Sequence, residues 1–267
     1  TWGSTDHYTI NIDDATPLAP VISSATHANE ASWYVSNDPD FSWTAPSSAS
    51  GIDGYSYVLD QVSNTTPDTV SEGTQTSKTD YLDYANGTWY FHVRARNAAG
   101  TWGSTDHYTI NIDDVIPDIA LVDSGPSSGN RTSFTTNIWY KASDVGGDDQ
   151  VSFTWNYPIP NSASGDTFYY EYNQIATTDS IDGTETSTAN NYVDNIALSE
   201  GTYYFHVRPR NGALTWGTEQ IFIFKYDKSV PINVGCDIPI NTATGVSTVT
   251  ILTAKTATDS VSGLHTT

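Results

Sequence analysis

NGTWYFHVRARN, residues 86–97, alternates side chains with a period of two: Trp89, Phe91, Val93 and Ala95 fall on one side, and Tyr90, His92, Arg94 and Arg96 on the other. A period of two is the signature of a strand with one buried face, so the apolar set is expected in a core and the polar set outside. Asn97-Ala98-Ala99-Gly100 supplies the residues of a tight turn, after which Tyr108, Ile110 and Ile112 repeat the same alternation on a returning strand. Upstream, Phe41-Ser42-Trp43-Thr44 alternates before Pro46 and a Ser/Gly stretch, and Tyr55, Tyr57 and Leu59 form the inward face of the next strand, leaving Ser56, Val58 and Asp60 outward. No stretch shows a helical period.

The same pattern returns at domain-sized intervals. EGTYYFHVRPRN starts at Glu200, and TWGSTDHYTINIDD, residues 1–14, recurs unchanged at 101–114, with a diverged copy, TWGTEQIFIF, from Thr215. SASG stands at 48–51 and again at 162–165, and Pro17, Pro117 and Pro231 each follow a copy of the last strand. A spacing near 100 residues is that of one β-sandwich and far above that of a solenoid. The expected organisation is the final strand of a preceding module at 1–14, complete sandwiches at 15–114 and 115–229, and the first strands of a truncated third at 230–267. In the second, Phe153 and Trp155, then Phe168, Tyr170 and Tyr172, then Tyr203, Phe205 and Val207 form the inward faces. The fold class is therefore all-β: tandem antiparallel β-sandwich domains whose two sheets bury these side chains between them.

Composition narrows the function. The formal net charge is −21, which argues against nucleic acid and anionic membranes as partners, since both are recognised by clustered Lys and Arg. The chain has a single cysteine, Cys236, so no disulfide can close within it and packing must hold the cores; Cys236 reads as a small apolar residue. Eight Trp and 17 Tyr supply the apolar mass for that. No apolar run approaches the length of a membrane span, and neither an initiator Met nor a signal-peptide pattern stands at Thr1.

FSWTAPSSASGIDGYSYVLDQ from Phe41, NGTWYFHVRARNAAGTWG from Asn86 and the SATHANEASWYVSNDPDFSW lead-in from Ser24 resemble the tandem immunoglobulin-like or fibronectin type III-like modules of large bacterial and archaeal cell-surface proteins. The resemblance implies an extracellular, cell-surface location and a structural or adhesive role, as a segment of a tandem-repeat surface protein or filament whose partners are neighbouring copies or adjacent modules. Such modules carry no family catalytic residues, and the expectation is that the chain is not an enzyme. The alternative is a carbohydrate-binding or accessory module of a large secreted enzyme, with glycans as partners.

Four of the ten basic residues, Arg94, Arg96, Arg208 and Arg210, sit on equivalent strands. With Tyr90 and Tyr204 they form a candidate contact face, either for an acidic neighbouring chain or, through the tyrosines, for sugar rings. Its structural reading is a set of exposed ion pairs, with Asp60 and Glu171 on the adjacent strands as partners. His92 and His206 lie beside these arginines, and a cross-strand polar ladder is their expected role. No cofactor is expected. Calcium enters only through the acidic pairs Asp13-Asp14, Asp113-Asp114 and Asp148-Asp149, which offer hard oxygen ligands but lack the D-x-D-x-D-G loop. Asn64, Asn86 and Asn130 fit the glycan-acceptor triplet, a frequent pattern in an Asn- and Thr-rich chain.

Overall fold

The computed structural model describes residues 2–126, 134–145, 149–157, 163–176 and 181–229. The expectations for 230–267, for Asp148, for Cys236 and for the Asn130 triplet lie outside the described residues. Among those described, every regular element is a strand. They fall into two compact units, one of Thr1–Pro117 with Ile159–Asp166 and Arg210–Trp216, the other of Asp118–Pro158, Thr167–Pro209 and Gly217–Thr267.

In the first sandwich, β1 (Val21–Ser23), β3 (Phe41–Thr44) and β5 (Ser77–Lys78) form a three-stranded sheet in the order β1-β3-β5. Facing it, β2 (Trp33–Tyr34), β4 (Ile52–Asp60), β6 (Gly87–Asn97) and β7 (Trp102–Ile112) follow the order β2-β7-β6-β4. All pairings are antiparallel except β2 on β7. The long strands β4, β6 and β7 exist because their apolar residues alternate: Phe91, Val93 and Ala95 from β6 and Tyr108, Ile110 and Ile112 from β7 are all buried. They meet Phe41 and Trp43 of β3 and Tyr55 of β4 in one cluster, with Tyr57, Leu59 and Trp89 half-buried at its margin. At its centre the Phe41 and Phe91 rings stack at 4.1 Å and 6°.

The second sandwich repeats this plan. Strands β8 (Ala120–Pro126), β10 (Gln150–Asn156) and β13 (Tyr192–Ala197) form one sheet, ordered β13-β10-β8. The other holds β9 (Trp139–Tyr140), β11 (Asp166–Asn173), β12 (Thr186–Thr188), β14 (Gly201–Asn211) and β15 (Gln220–Tyr226), ordered β12-β11-β14-β15-β9. The stacked pair is Phe153 on Phe205, at 4.1 Å and 1°, and Trp155 takes the place of Trp43. The inward residues of β11 lie one position earlier relative to SASG than those of β4: Gly51 is followed by Ile52-Asp53-Gly54 before the buried Tyr55, whereas Gly165 is followed by only Asp166-Thr167 before the buried Phe168. The register shift between Ile52 and Gly54 in β4 accommodates the extra residue.

The expected outward face is only partly outward. Ser56 is buried and its hydroxyl donates to Asp68 at 3.3 Å, because residues 61–73 lie along the free edge of β4. Tyr55 bridges to Gly73, and the Tyr57 amide donates to Glu72 at 3.2 Å. A free edge strand invites pairing with another chain, and this segment covers it.

The β6–β7 and β14–β15 turns are built alike but differ at one position. In each, the asparagine carbonyl accepts from the residue three positions on, and its side chain accepts from the next amide at 2.8 Å: Asn97 to Gly100 and Thr101, Asn211 to Leu214 and Thr215. The left-handed position is Gly100 in the first turn, at φ 87°, and Leu214 in the second, at φ 67°, with its side chain exposed. A side chain there strains against its own carbonyl by about 1–2 kcal/mol, which glycine avoids. Leu214→Gly is accordingly expected to stabilise the protein by about 1 kcal/mol, readable as a higher urea midpoint; a lower midpoint would show that the Leu214 side chain makes a contact outweighing that strain.

Candidate functional site

The outer face of β6 carries Tyr90, His92, Arg94 and Arg96, and β14 carries Tyr204, His206, Arg208 and Arg210. Both tyrosines are half-buried, each with its ring centroid 6.4 Å from that of the following histidine. The arginines are engaged within their own units. Arg94 lies over the Trp102 ring and Arg210 over the Trp216 ring, both at 4.9 Å. Each of these two guanidinium groups also has a buried Nε with no hydrogen-bond partner, so the ring contact is what balances its desolvation. Arg96 is 3.7 Å from Asp53. Arg208 donates through Nε to the Gly217 carbonyl at 2.8 Å and through Nη1 to the Ile181 carbonyl at 3.1 Å.

Asp60, expected opposite an arginine, faces His92 instead, with Oδ1 3.4 Å from Nε2. The register explains this: Asp60 pairs with Tyr90 and Val58 with His92, whereas Arg94 pairs with Ser56. Burial favours the neutral Asp60 carboxyl, but hydrogen bonds from Thr65 and Val62 and the nearby His92 outweigh it and hold the group below the ordinary carboxylate range. His92 itself is fully buried, which pushes its pKa down against the pull of Asp60.

On the other side of β6, His92 meets His107 of β7, with Nδ1 to Nδ1 at 2.5 Å. In the second sandwich the place opposite His206 is Ile221, and the His206 Nδ1 is met by Glu219 at 2.7 Å. The ladder expected of these histidines is thus present in two chemical forms, and the direct His–His contact was not legible in the sequence. Its position follows from a register shift between Arg94 and Arg96.

The acidic candidates separate. Asp113 is fully buried and accepts from the backbone amide of Ser164 at 3.2 Å, from its hydroxyl and from the Val115 amide, all within the first unit. Asp13, its counterpart in the repeat, accepts from the Ser48 hydroxyl at 2.7 Å, from the Ser50 amide and hydroxyl at 2.9 and 2.6 Å, and from Asn97 at 3.3 Å. The bonds from the two serines lower its pKa to about 2. Asp13 thus ties down the turn at 48–51, and Asp113 holds Ser164, the counterpart of Ser50. Asp114 accepts from Asn37 at 3.2 Å. Asp149 accepts from the Tyr226 hydroxyl, which lowers its pKa, and from Lys228 at 3.3 Å. Among the described residues, no three or more His, Cys, Asp and Glu are grouped as a metal site. Asp166, which the sequence did not single out, has both carboxylate oxygens buried without a hydrogen-bond partner and a pKa raised to about 6, first by burial and then by the charge of Asp113.

The strand orders and the two-layer aromatic cores define the fold: all-β, with two successive β-sandwich modules built on one plan. No family model matches the sequence, and no curated protein matches it. Among solved structures, the chain is similar to the fibronectin(III)-like modules of Clostridium thermocellum CbhA, at 11% identity over 78% of this chain and 95% of that one, with a TM-score of 0.36. It is also similar to the FN1–FN3 domains of chicken CNTN1, at 11% identity, 80% and 68% coverage and a TM-score of 0.29. A third is the extracellular domain of a hybrid two-component system from B. thetaiotaomicron, at 12% identity and a TM-score of 0.35, with coverage of 78% of this chain and 26% of that one.

Proposed function

We propose that this chain is a structural or adhesive segment of an extracellular tandem-repeat surface protein or filament, which works by load and contact and not by turnover. The observation that carries this reading is repetition: residues 1–14 recur unchanged at 101–114, and both sandwiches close around the same stacked phenylalanine pair and the same buried tryptophan. Serial copies of one fold serve reach and mechanical continuity, whereas a single active site needs only one. The acidic surface and the scarcity of cysteine fit an exported chain whose neighbours repel it until a specific contact forms.

The test is to pull the chain by its ends in a force microscope. A load-bearing segment is expected to unfold in discrete steps, each releasing roughly 300 Å of contour length, as about 100 residues at 3.3–3.6 Å each require. A smooth, featureless extension would overturn the reading. A glycan array addresses the other class: saturable sugar binding that is lost in Tyr90→Ala or Tyr204→Ala would replace the structural role with a carbohydrate-binding one.

A further inference from the structure

We infer that His92 and His107 form a cross-strand site for one divalent transition-metal cation of the zinc class, and that the cation staples β7 to β6. The inference stands apart from the proposed structural role and holds or fails without it.

The two residues are direct partners in the β6–β7 register, so their side chains leave the same face of the sheet. Their Nδ1 atoms are 2.5 Å apart and the ring planes are inclined at 76°. That separation is short even for an N–H to N hydrogen bond, and in any such bond one of the two nitrogens must present a bare lone pair. The surroundings of His92 say which. Its Nε2 faces Asp60 Oδ1, an acceptor, so the neutral ring carries its proton on Nε2 and turns the Nδ1 lone pair toward His107. A carboxylate that accepts from the far nitrogen while the near nitrogen is left bare is the arrangement that orients metal-bound histidines. Burial also keeps the His92 ring neutral, the form in which imidazole binds a metal.

Two imidazole nitrogens on one tetrahedral cation, each at about 2.0–2.1 Å, lie roughly 3.3 Å apart. His92 is fixed, but His107 is exposed and has room to swing outward by the required fraction of an ångström. Water would complete the shell, since the protein supplies two nitrogens there and imidazole favours zinc, copper and nickel over calcium or magnesium. The second sandwich is an internal control. There Ile221 stands at the place of His107, and the Nδ1 of His206 is taken by Glu219. Asp60 acts through His92 and is a positioning residue.

The test is titration of the whole chain with zinc chloride at pH 7.5, followed by calorimetry and by thermal melting. One equivalent of zinc is expected to bind and to raise the melting temperature, because both ligands come together only in the folded sheet. His107→Gln should weaken zinc binding at least tenfold and abolish the thermal shift, read against the variant's own metal-free melting temperature. Asp60→Asn should weaken binding by about tenfold with the stoichiometry kept. His7→Gln, the same residue in the other copy of the repeat, should change neither quantity. Absence of binding, equal binding by His107→Gln, or loss of binding in His7→Gln would each overturn the site.

Discussion

Phe91→Ala is expected to destabilise the first sandwich by about 3–5 kcal/mol, the range for removing a large buried aromatic side chain from a packed core. Phe91 is fully buried, stacks on Phe41, and has Trp43, Tyr57 and Tyr81 within ring-contact distance. The loss therefore removes contacts to both sheets and leaves a cavity that the surrounding rings are too rigid to fill. Phe205→Ala should do the same to the second sandwich, where Phe205 stacks on Phe153 and is flanked by Trp155 and Tyr170. Hydrogen exchange localises each effect: amides of β6 should lose protection in the first variant and those of β14 in the second. A loss below about 1 kcal/mol in either would show that the stacked pair is not the centre of its core.

Asp166→Asn is expected to stabilise the protein at neutral pH and to do nothing at acidic pH. The Asp166 carboxyl titrates near 3.9 in an unfolded chain and near 6 in the fold. A raised folded pKa means that the fold prefers the protonated form. The contribution of this group is therefore fully present below about pH 3.9, is lost as the pH rises through about 6, and is a penalty at pH 7. Two pKa units correspond to about 3 kcal/mol, and partial exposure of the residue lowers that to between about 1 and 3 kcal/mol. The variant should show that gain in urea unfolding at pH 7.5 and near-parity with the parent at pH 3.5. A gain of equal size at both values would place its origin outside the carboxyl charge. Asp53, which follows the corresponding turn in β4 and lies 3.7 Å from Arg96, is the comparison. Asp53→Asn at that exposed pair should change stability by no more than about 1 kcal/mol in either direction.

Much of the fold was legible because burial in these strands follows the side-chain period. Trp43, Tyr55, Phe91, Val93, Phe153 and Phe205 were expected inside from alternation alone, and each is buried. Ser56 and His92 were expected outside and are buried too, for a reason that no periodicity contains. They face residues 61–73 and Asp60, and an irregular segment lying along a sheet edge leaves no repeating mark in the sequence. The His92–His107 contact was hidden more subtly. Counting outward from the turn in which the Asn97 amide donates to the Thr101 carbonyl sets residue 92 opposite Asp106. The shift between Arg94 and Arg96 moves the register by one residue and brings in His107. Asp166 escaped notice because an acidic residue after a Ser-Gly turn reads as solvated, and only the tertiary packing removes its water.

The unchanged 14-residue repeat sets folding a choice of partners. In the copy at 101–114, Tyr108, Ile110 and Ile112 are 8%, 1% and 0% exposed on β7, while Tyr8, Ile10 and Ile12 are 91%, 70% and 80% exposed, although the side chains are the same. Intrinsic preference cannot explain that contrast, and β6 has no chemical means of telling one copy from the other. Chain connectivity decides: a hairpin joins β6 to the nearer copy, whereas roughly 70 residues separate it from the farther one, a difference in loop-closure entropy of about 3 kcal/mol. The correct pairing is chosen by proximity along the polypeptide, so lengthening the Ala98–Gly100 link erodes the preference by only about 0.6 kcal/mol per doubling, whereas cutting it would hand the advantage to the wrong twin.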